Sequence, residues 1–323
     1  MHCVLRNVPM SRRAIRHTAY SQVNGSIVEH IPVLAETLAE QINLPPDGVM
    51  VDATIGQGGH SLLFGKTLGP EAVIVGFDVD KNAVQRAHVI LKPLACRVIL
   101  LHSNFSQIRE QLHKHRIEKV DFILADLGIC SAQWADAAFG LSFQTNMPLD
   151  MRIDKRLKRS AADIVNKVDE KSLADLIYQF GQDRASRRIA RFIVRQREIE
   201  PITTTGRLAE IACKALGKTA RSRKSKIHPA TRTFQALRIA VNDELENLKQ
   251  LLASAPKLLN RNGYMAVISF HSLEDGLVKR DFRENEKAGT YRIVTKKPVV
   301  PTREEIAKNR RARSAKLRIA QKQ

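Results

Sequence analysis

Between Val49 and Gly59 the chain reads VMVDATIGQGG: a short apolar strand, an acid, then a glycine-rich turn leading into a helix. Asp78 follows about twenty residues after Gly58, at the end of a second apolar run, AVIVGFD. Strand, turn, helix, strand and acid in this order form a βαβ unit. Its strands lie parallel, and its ligand sits at their carboxyl ends with the acid on ribose hydroxyls. The alternation continues. Strands are predicted at Val49–Ala53, Ala72–Phe77, Arg97–Leu101 and Val120–Ala125, with helices between them at Lys81–Leu91 and Phe105–His115. A further strand, Tyr264–Phe270, comes much later, after a turn at Asn260–Gly263. Two last runs, Tyr291–Lys296 and Lys316–Ala320, suit an antiparallel pair closing the sheet edge. The fold class is therefore α/β, a doubly wound sheet of Rossmann-like type.

The turn also bears on the cofactor. A dinucleotide fingerprint wants glycine at position 61, where this chain has Ser61, and a diphosphate is repelled by Asp52 at the mouth of the loop. S-adenosylmethionine carries no phosphate, and its ammonium and sulfonium are attracted by an acid there. The turn thus favours a methyl donor over NAD.

The segment from about Ala138 to Ala230 lacks the alternation. It reads as helices at Ala161–Val165, Glu170–Phe180, Arg184–Arg197 and Thr205–Leu216, an inserted α-helical domain over residues 138–230. The core is then 29–137 plus 231–323, with one long helix from Pro229 to about Leu259 returning the chain to the sheet. Residues 1–28 hold Arg6, Arg12, Arg13 and Arg16 and no acid. They read as a disordered RNA-touching arm or an over-extended translation start, ahead of an organellar presequence. With no apolar h-region they are not a secretory signal.

Charge narrows the partner. Fifty-three Lys and Arg against 33 Asp and Glu give +20, which points to a polyanion. On the predicted helix Arg184–Arg197, Arg184, Arg188, Arg191 and Arg195 share one face, opposite Ala185, Ile189, Phe192 and Ile193. Such a face is ordinarily just solvated. Followed by Lys214, Lys218, Arg221, Arg223, Lys224 and Lys226 with no acid, it becomes a phosphate-binding surface. No apolar stretch approaches the ~18 residues of a membrane span. Cys3, Cys96, Cys130 and Cys213 are too scattered for a disulfide framework or a zinc site, as in a reducing, cytoplasmic compartment. No metal is expected.

The fourth strand ends in Ala125–Ser131, ADLGICS. An acid at that tip sits where an open α/β sheet presents its substrate. There it can accept a hydrogen bond from an exocyclic amine, so Asp126 is the catalytic candidate; the plainer reading has it contact the cofactor or cap the turn. Cys130 suggests thiolate attack on a ring, but such cysteines typically follow proline and here Ile129 precedes it, so Cys130 reads as structural. Phe105 is placed to pack on adenine or to open the next helix. His60 is placed to point at the methionine end. His271, Ser272, Glu274 and Asp275 line the substrate cleft or cap the helix near Leu273.

With these pieces in order, the chain resembles the bacterial 16S ribosomal RNA N4-cytosine methyltransferases, the ribosomal RNA small-subunit methyltransferase H family, over roughly His30 to Ala320. The likeness rests on HIPVL (His30–Leu34), DATIGQGGHS (Asp52–Ser61), DLGICSAQ (Asp126–Gln133), GLSF (Gly140–Phe143) and PLDMRID (Pro148–Asp154). It continues through HPATRTFQALRIAVNDEL (His228–Leu245), ISFHSLED (Ile268–Asp275) and RSAKLR (Arg313–Arg318). The resemblance implies a Rossmann-like S-adenosylmethionine-dependent core with an inserted helical domain. It implies methylation of N4 of a decoding-site cytosine, position 1402 in the usual rRNA numbering. The partner implied is 16S rRNA in the small subunit or its assembly intermediate, with the oligomeric state, a dimer included, left open. Carried over by position, the family's cofactor contacts fall on Gly58, Gly59, His60, Asp78, Phe105, Asp126 and Gln133. Departures are Cys130 and Ala132 where serine and proline are usual, Gln57, and Arg310 in place of a tail proline; the lost proline is expected to loosen the loop that sets Gln133 and alter cofactor affinity. Two rivals stand beside this reading. A DNA amine methyltransferase normally carries a proline-rich tetrapeptide where this chain has Asp126–Ile129, and a catalytically silent RNA-binding assembly factor has no use for Asp78, Asp126 and the glycine turn.

Overall fold

The computed structural model describes residues 19–23, 26–30, 32–130, 133–134, 136–217 and 227–323. The chain begins there with an antiparallel hairpin, β1 (Ala19–Val23) and β2 (Ser26–His30), within the stretch expected to be a disordered arm. The rest of that arm, and the basic run 218–226, lie outside the described residues.

Seven further strands form one sheet. They are β3 (Val49–Asp52), β4 (Val73–Asp78), β5 (Arg97–His102), β6 (Val120–Asp126), β7 (Leu259–Ser269), β8 (Tyr291–Ile293) and β9 (Lys316–Lys322). Their order is β5-β4-β3-β6-β7-β9-β8. The pairs from β5 to β7 are parallel, and β9 runs antiparallel to both β7 and β8. This is the predicted sheet, including its closing pair. The turn expected at Asn260–Gly263 lies inside β7 as an irregularity. Register jumps from Val120 opposite Leu259 to Phe122 opposite Tyr264, and Asn262 takes φ 66°.

Both faces of the sheet are covered, which is why its central strands read as continuous apolar runs. Met50, Ile74, Phe122 and Leu124 point to one side. They pack there with α1 (Ala35–Gln41) and α2 (Gly59–Gly65), where Phe64 meets the Phe122 ring edge-on at 5.0 Å. Helix α3 (Lys81–Leu91) adds Ala87 and Leu91 to a small cluster around Ile55. Val51, Val75, Ile123 and Met265 point to the other side. They meet α4 (Ile108–Lys114) and two helices from the C-terminal half of the chain.

The insert builds its own core. It contains α5 (Ala161–Lys167), α6 (Glu170–Gly181), α7 (Ser186–Ile199) and α8 (Thr205–Ala215). Ser160 starts α5 with a reciprocal capping box to Asp163. The long helix expected from Pro229 to Leu259 is two helices, α9 (Thr231–Asn242) and α10 (Glu244–Leu258), broken at Asp243 with φ 50°. The break has a local cause. The Asn242 side chain donates to Met151 O at 2.8 Å and accepts from Ile153 N at 2.9 Å, binding the helix end to the insert. Phe234, Leu237 and Val241 of α9 belong to the hydrophobic cluster of the helical unit, whereas Leu248, Leu251 and Leu252 of α10 pack on the sheet. Helix α9 thus packs with the helical unit and α10 with the sheet, on either side of this break. The last helices are α11 (Ser272–Lys287) and α12 (Arg303–Lys308). Among the described residues no helix is long and apolar enough to cross a membrane.

The loop entering the insert turns on Gly140, at φ 61°. A Cβ there would lie 2.1 Å from Pro148 O and 2.9 Å from Asp150 N, both main-chain atoms that cannot step aside. Gly140→Ala should therefore cost more than about 2 kcal/mol, read as a lower chemical-denaturation midpoint.

Candidate active site

Three parallel strands end on an aspartate at one sheet edge: Asp52 on β3, Asp78 on β4 and Asp126 on β6. Each is handled differently. Asp52 is fully buried and turned inward, accepting from Ser61 Oγ at 2.8 Å and from Thr54 N at 3.2 Å. Burial raises its pKa, against the pull of His60 and the Ser61 hydroxyl. It lines neither of the two cavities at this edge, and its bonds brace the turn. Asp78 accepts from Gly56 N at 3.0 Å and Asp80 N at 2.9 Å; burial nonetheless pushes its carboxyl up to about 7. Asp126 is half-buried. Its own N–H donates to Thr54 Oγ1 at 2.7 Å, tying the tips of β3 and β6 together.

Two adjoining cavities open at this edge and share Thr54, Gly56, Gly128, Ile129 and Cys130 as walls. The larger, about 220 Å³, is lined by Asp78, Phe105 and Gln133. The smaller, about 80 Å³, is lined by Gly59, His60, Asp126 and Phe270, with Asn309 and Arg311 from the C-terminal segment. The expected site residues thus divide. Asp78, Phe105 and Gln133 go to the first cavity, Gly59, His60 and Asp126 to the second. Gly58 lines neither and shapes the turn at φ 82°.

The loop after β6 is fastened by Gln133, which is buried. Its Oε1 accepts from Cys130 N at 3.2 Å, and its Nε2 donates to Asp80 Oδ2 at 3.3 Å. Gln133 N donates in turn to Cys130 Sγ at 3.4 Å, so the sulfur does the accepting that a serine oxygen would do there. Cys130 is therefore a holding residue that also faces both cavities. Ala132, the other departure in that motif, lies outside the described residues.

Sequence reasoning missed the far wall of the larger cavity. Ile153, Asp154 and Leu157 come to it from the insert, and Asn242, Glu244 and Asn247 from the break between α9 and α10. Glu244 is held by Arg238 through two bonds of 2.7 and 2.9 Å. His271 Nε2 lies 3.2 Å from Glu274 and 3.9 Å from Glu244. His271 is raised to about 9 by these carboxylates despite its burial, and Glu244 is lowered to about 2 by Arg238 and His271. Among the described residues, Glu244, His271 and Glu274 are the one group spaced for a metal ion. Arg238 already engages both Glu244 oxygens, so the cluster is an internal ion-pair network. His271 caps α11 in a box with Glu274, and Asp275 pairs with Arg318 and Lys316. Of the four polar residues after β7, Glu274 alone lines a cavity.

On α7, Arg188, Arg191 and Arg195 are exposed while Ile189 and Ile193 are buried, and Arg184, exposed too, lies in the turn just before the helix. Arg191 lies 3.6 Å from Glu170.

A parallel sheet with a glycine turn after its first βαβ strand, an acid on the next strand and a second acid across the switch point defines a nucleoside-cofactor α/β protein. The MraW methylase family model matches residues 27–323. The chain belongs to that family, whose methyltransferases use S-adenosylmethionine. It is 46% identical over 293 residues to the ribosomal RNA small subunit methyltransferase H of Cyanothece sp. (strain PCC 7425 / ATCC 29141), covering 91% of this chain and 94% of that one. It is 42% identical over 308 residues to the protein of the same name from Clostridioides difficile (strain 630), covering 91% and 98%. Among solved structures, an rRNA methylase from Streptococcus thermophilus overlaps loosely, at TM-score 0.42 and 10% identity over 89% of this chain and 93% of that chain.

A ligand whose hydroxyls donate to Asp78 favours its ionised form, so binding should release a proton. Affinity for S-adenosylhomocysteine should then rise as pH climbs through about 7 and level off above it. Calorimetric titration between pH 6 and 8 reads this, and in Asp78→Asn the slope should vanish.

Proposed function

We propose that this protein transfers a methyl group from S-adenosylmethionine to the exocyclic N4 of the decoding-site cytosine in 16S rRNA, within the small ribosomal subunit or its assembly intermediate. The names of its relatives support the substrate class. The observation that carries the reading is the shared wall. On one side Asp78 and Phe105 offer a carboxyl and an aromatic face, a fit for a nucleoside; on the other Asp126 and His60 face a small cavity.

The bound cofactor supplies an activated methyl on a cationic sulfur. The chain's task is then positioning and exclusion of water. Asp126 accepts a hydrogen bond from the amine, aiming the nitrogen lone pair at the donor. When bound, the cofactor would give up its methyl group and leave as a neutral thioether, and Asp126 would take the amine proton that the methyl replaces. Gly58, Gly59 and His60 serve the methionine end, and Gln133 holds the loop beside the nucleoside.

Asp126→Ala should lower methyl transfer to 30S particles at least about a hundredfold while the melting temperature persists. Wild-type-like turnover would remove Asp126 from the mechanism. A wild-type protein that binds RNA but gives no heat with S-adenosylhomocysteine would be a silent assembly factor instead. For the RNA surface, we expect Arg188→Glu with Arg191→Glu to weaken binding and flatten its salt dependence. An unchanged slope would return α7 to an ordinary solvated face.

A further inference from the structure

The smaller cavity carries buried polar atoms that no other described residue satisfies. Gln57 and His60 both line it, and they are only 6% and 7% exposed. Among the described residues Gln57 Oε1 and both ring nitrogens of His60 lack a hydrogen-bond partner. Buried polar groups are seldom left so unless a ligand completes them. His60 Nε2 also lies 3.5 Å from Asp126 Oδ2, too far for a good bond yet side by side with it. A donor and an acceptor thus stand next to each other facing one space, with the Phe270 ring as an apolar wall.

We propose, resting on the reaction given above, that the His60 side chain reads the N3 ring nitrogen of the target cytosine while Asp126 takes the N4 amine. A flipped base is read on its Watson–Crick edge. Cytosine presents there a donor, the amine, directly beside an acceptor, N3. Uracil presents an acceptor beside a donor. The His60–Asp126 pair therefore complements cytosine at both positions, with an imidazole N–H on N3 and the carboxylate on the amine, and Asp126 opposes the O4 that uracil presents instead. This assignment gives the His60 ring to the base in place of the methionine end to which the sequence reading pointed it.

The test is a cycle between protein and substrate. Small-subunit particles carry either cytidine or 3-deazacytidine at the target; the analogue keeps the amine and loses the N3 acceptor. With the wild-type protein the analogue should be methylated about ten- to a hundredfold more slowly in kcat/KM. With His60→Ala, slower on cytidine, the two particles should agree within about threefold. Should that variant be too slow to follow, equilibrium binding of the two particles in the presence of S-adenosylhomocysteine reads the same coupling. A penalty for the analogue that persists undiminished in His60→Ala overturns the assignment. So does a His60→Ala defect that appears wholly as weaker S-adenosylhomocysteine binding, since the ring then belongs to the cofactor. If wild-type protein methylates neither particle at N4 while binding S-adenosylhomocysteine, the reaction itself is wrong, a result distinct from both.

Discussion

Parallel pairing delivers Asp52, Asp78 and Asp126 to one edge of the sheet, and the site is organised around keeping three neighbouring carboxyls there. Left unpaired, such groups repel one another and lose hydration. Each is relieved in its own way: Asp52 by a hydroxyl and an amide from its own turn, Asp78 by two main-chain N–H groups, Asp126 by partial exposure and a nearby imidazole. Asp78 and Asp126 line the two cavities. An edge of this kind, rich in carboxyls, is poorly suited to a diphosphate and better suited to a cationic nucleoside.

The helical unit completes this edge. Arg156 donates to His102 O, Asn242 grips the Met151–Ile153 segment, and Arg238 reaches across the helix break to Glu244. The His271 imidazole sits between Glu244, which begins α10, and Glu274, which begins α11. These contacts bind insert to core at the far wall of the larger cavity. Such buried, mutually oriented charges cost desolvation and return positional definition.

How much of this was legible follows from range. Strands β3 to β7 were readable because a sheet buried on both faces demands unbroken apolar runs, and Asp78 and Asp126 because strand tips are where such a sheet presents chemistry. The place of Asp52 at the loop mouth was visible, but which way its side chain turns depends on Ser61 and Thr54 closing on it in three dimensions. The break at Asp243 was hidden because the flanking helical periodicity is continuous; the bonds that hold Asn242 come from residues about ninety positions away. The same distance hid Ile153, Asp154 and Glu244 from any argument based on spacing. Gln133 was reachable only through family likeness, since its role depends on Asp80, on another strand's exit.

The wall between the cavities explains why the loop after β6 has the composition it does. In the proposed reaction a donor carbon and an acceptor nitrogen must approach in line, so whatever separates their two compartments at the transfer point has to be thin. Gly128 meets that demand. A Cβ there would lie 2.8 Å from the Phe270 ring and 3.3 Å from Asp126 Oδ1, displacing the aromatic wall of one cavity and crowding the carboxylate. The neighbouring positions can carry side chains because those are fastened sideways, as Cys130 is to Gln133. In the proposed reaction the acid, the glycine and the anchored cysteine act together: the strand carries Asp126, the missing side chain at Gly128 keeps the shared wall thin, and Gln133 ties the loop to Asp80.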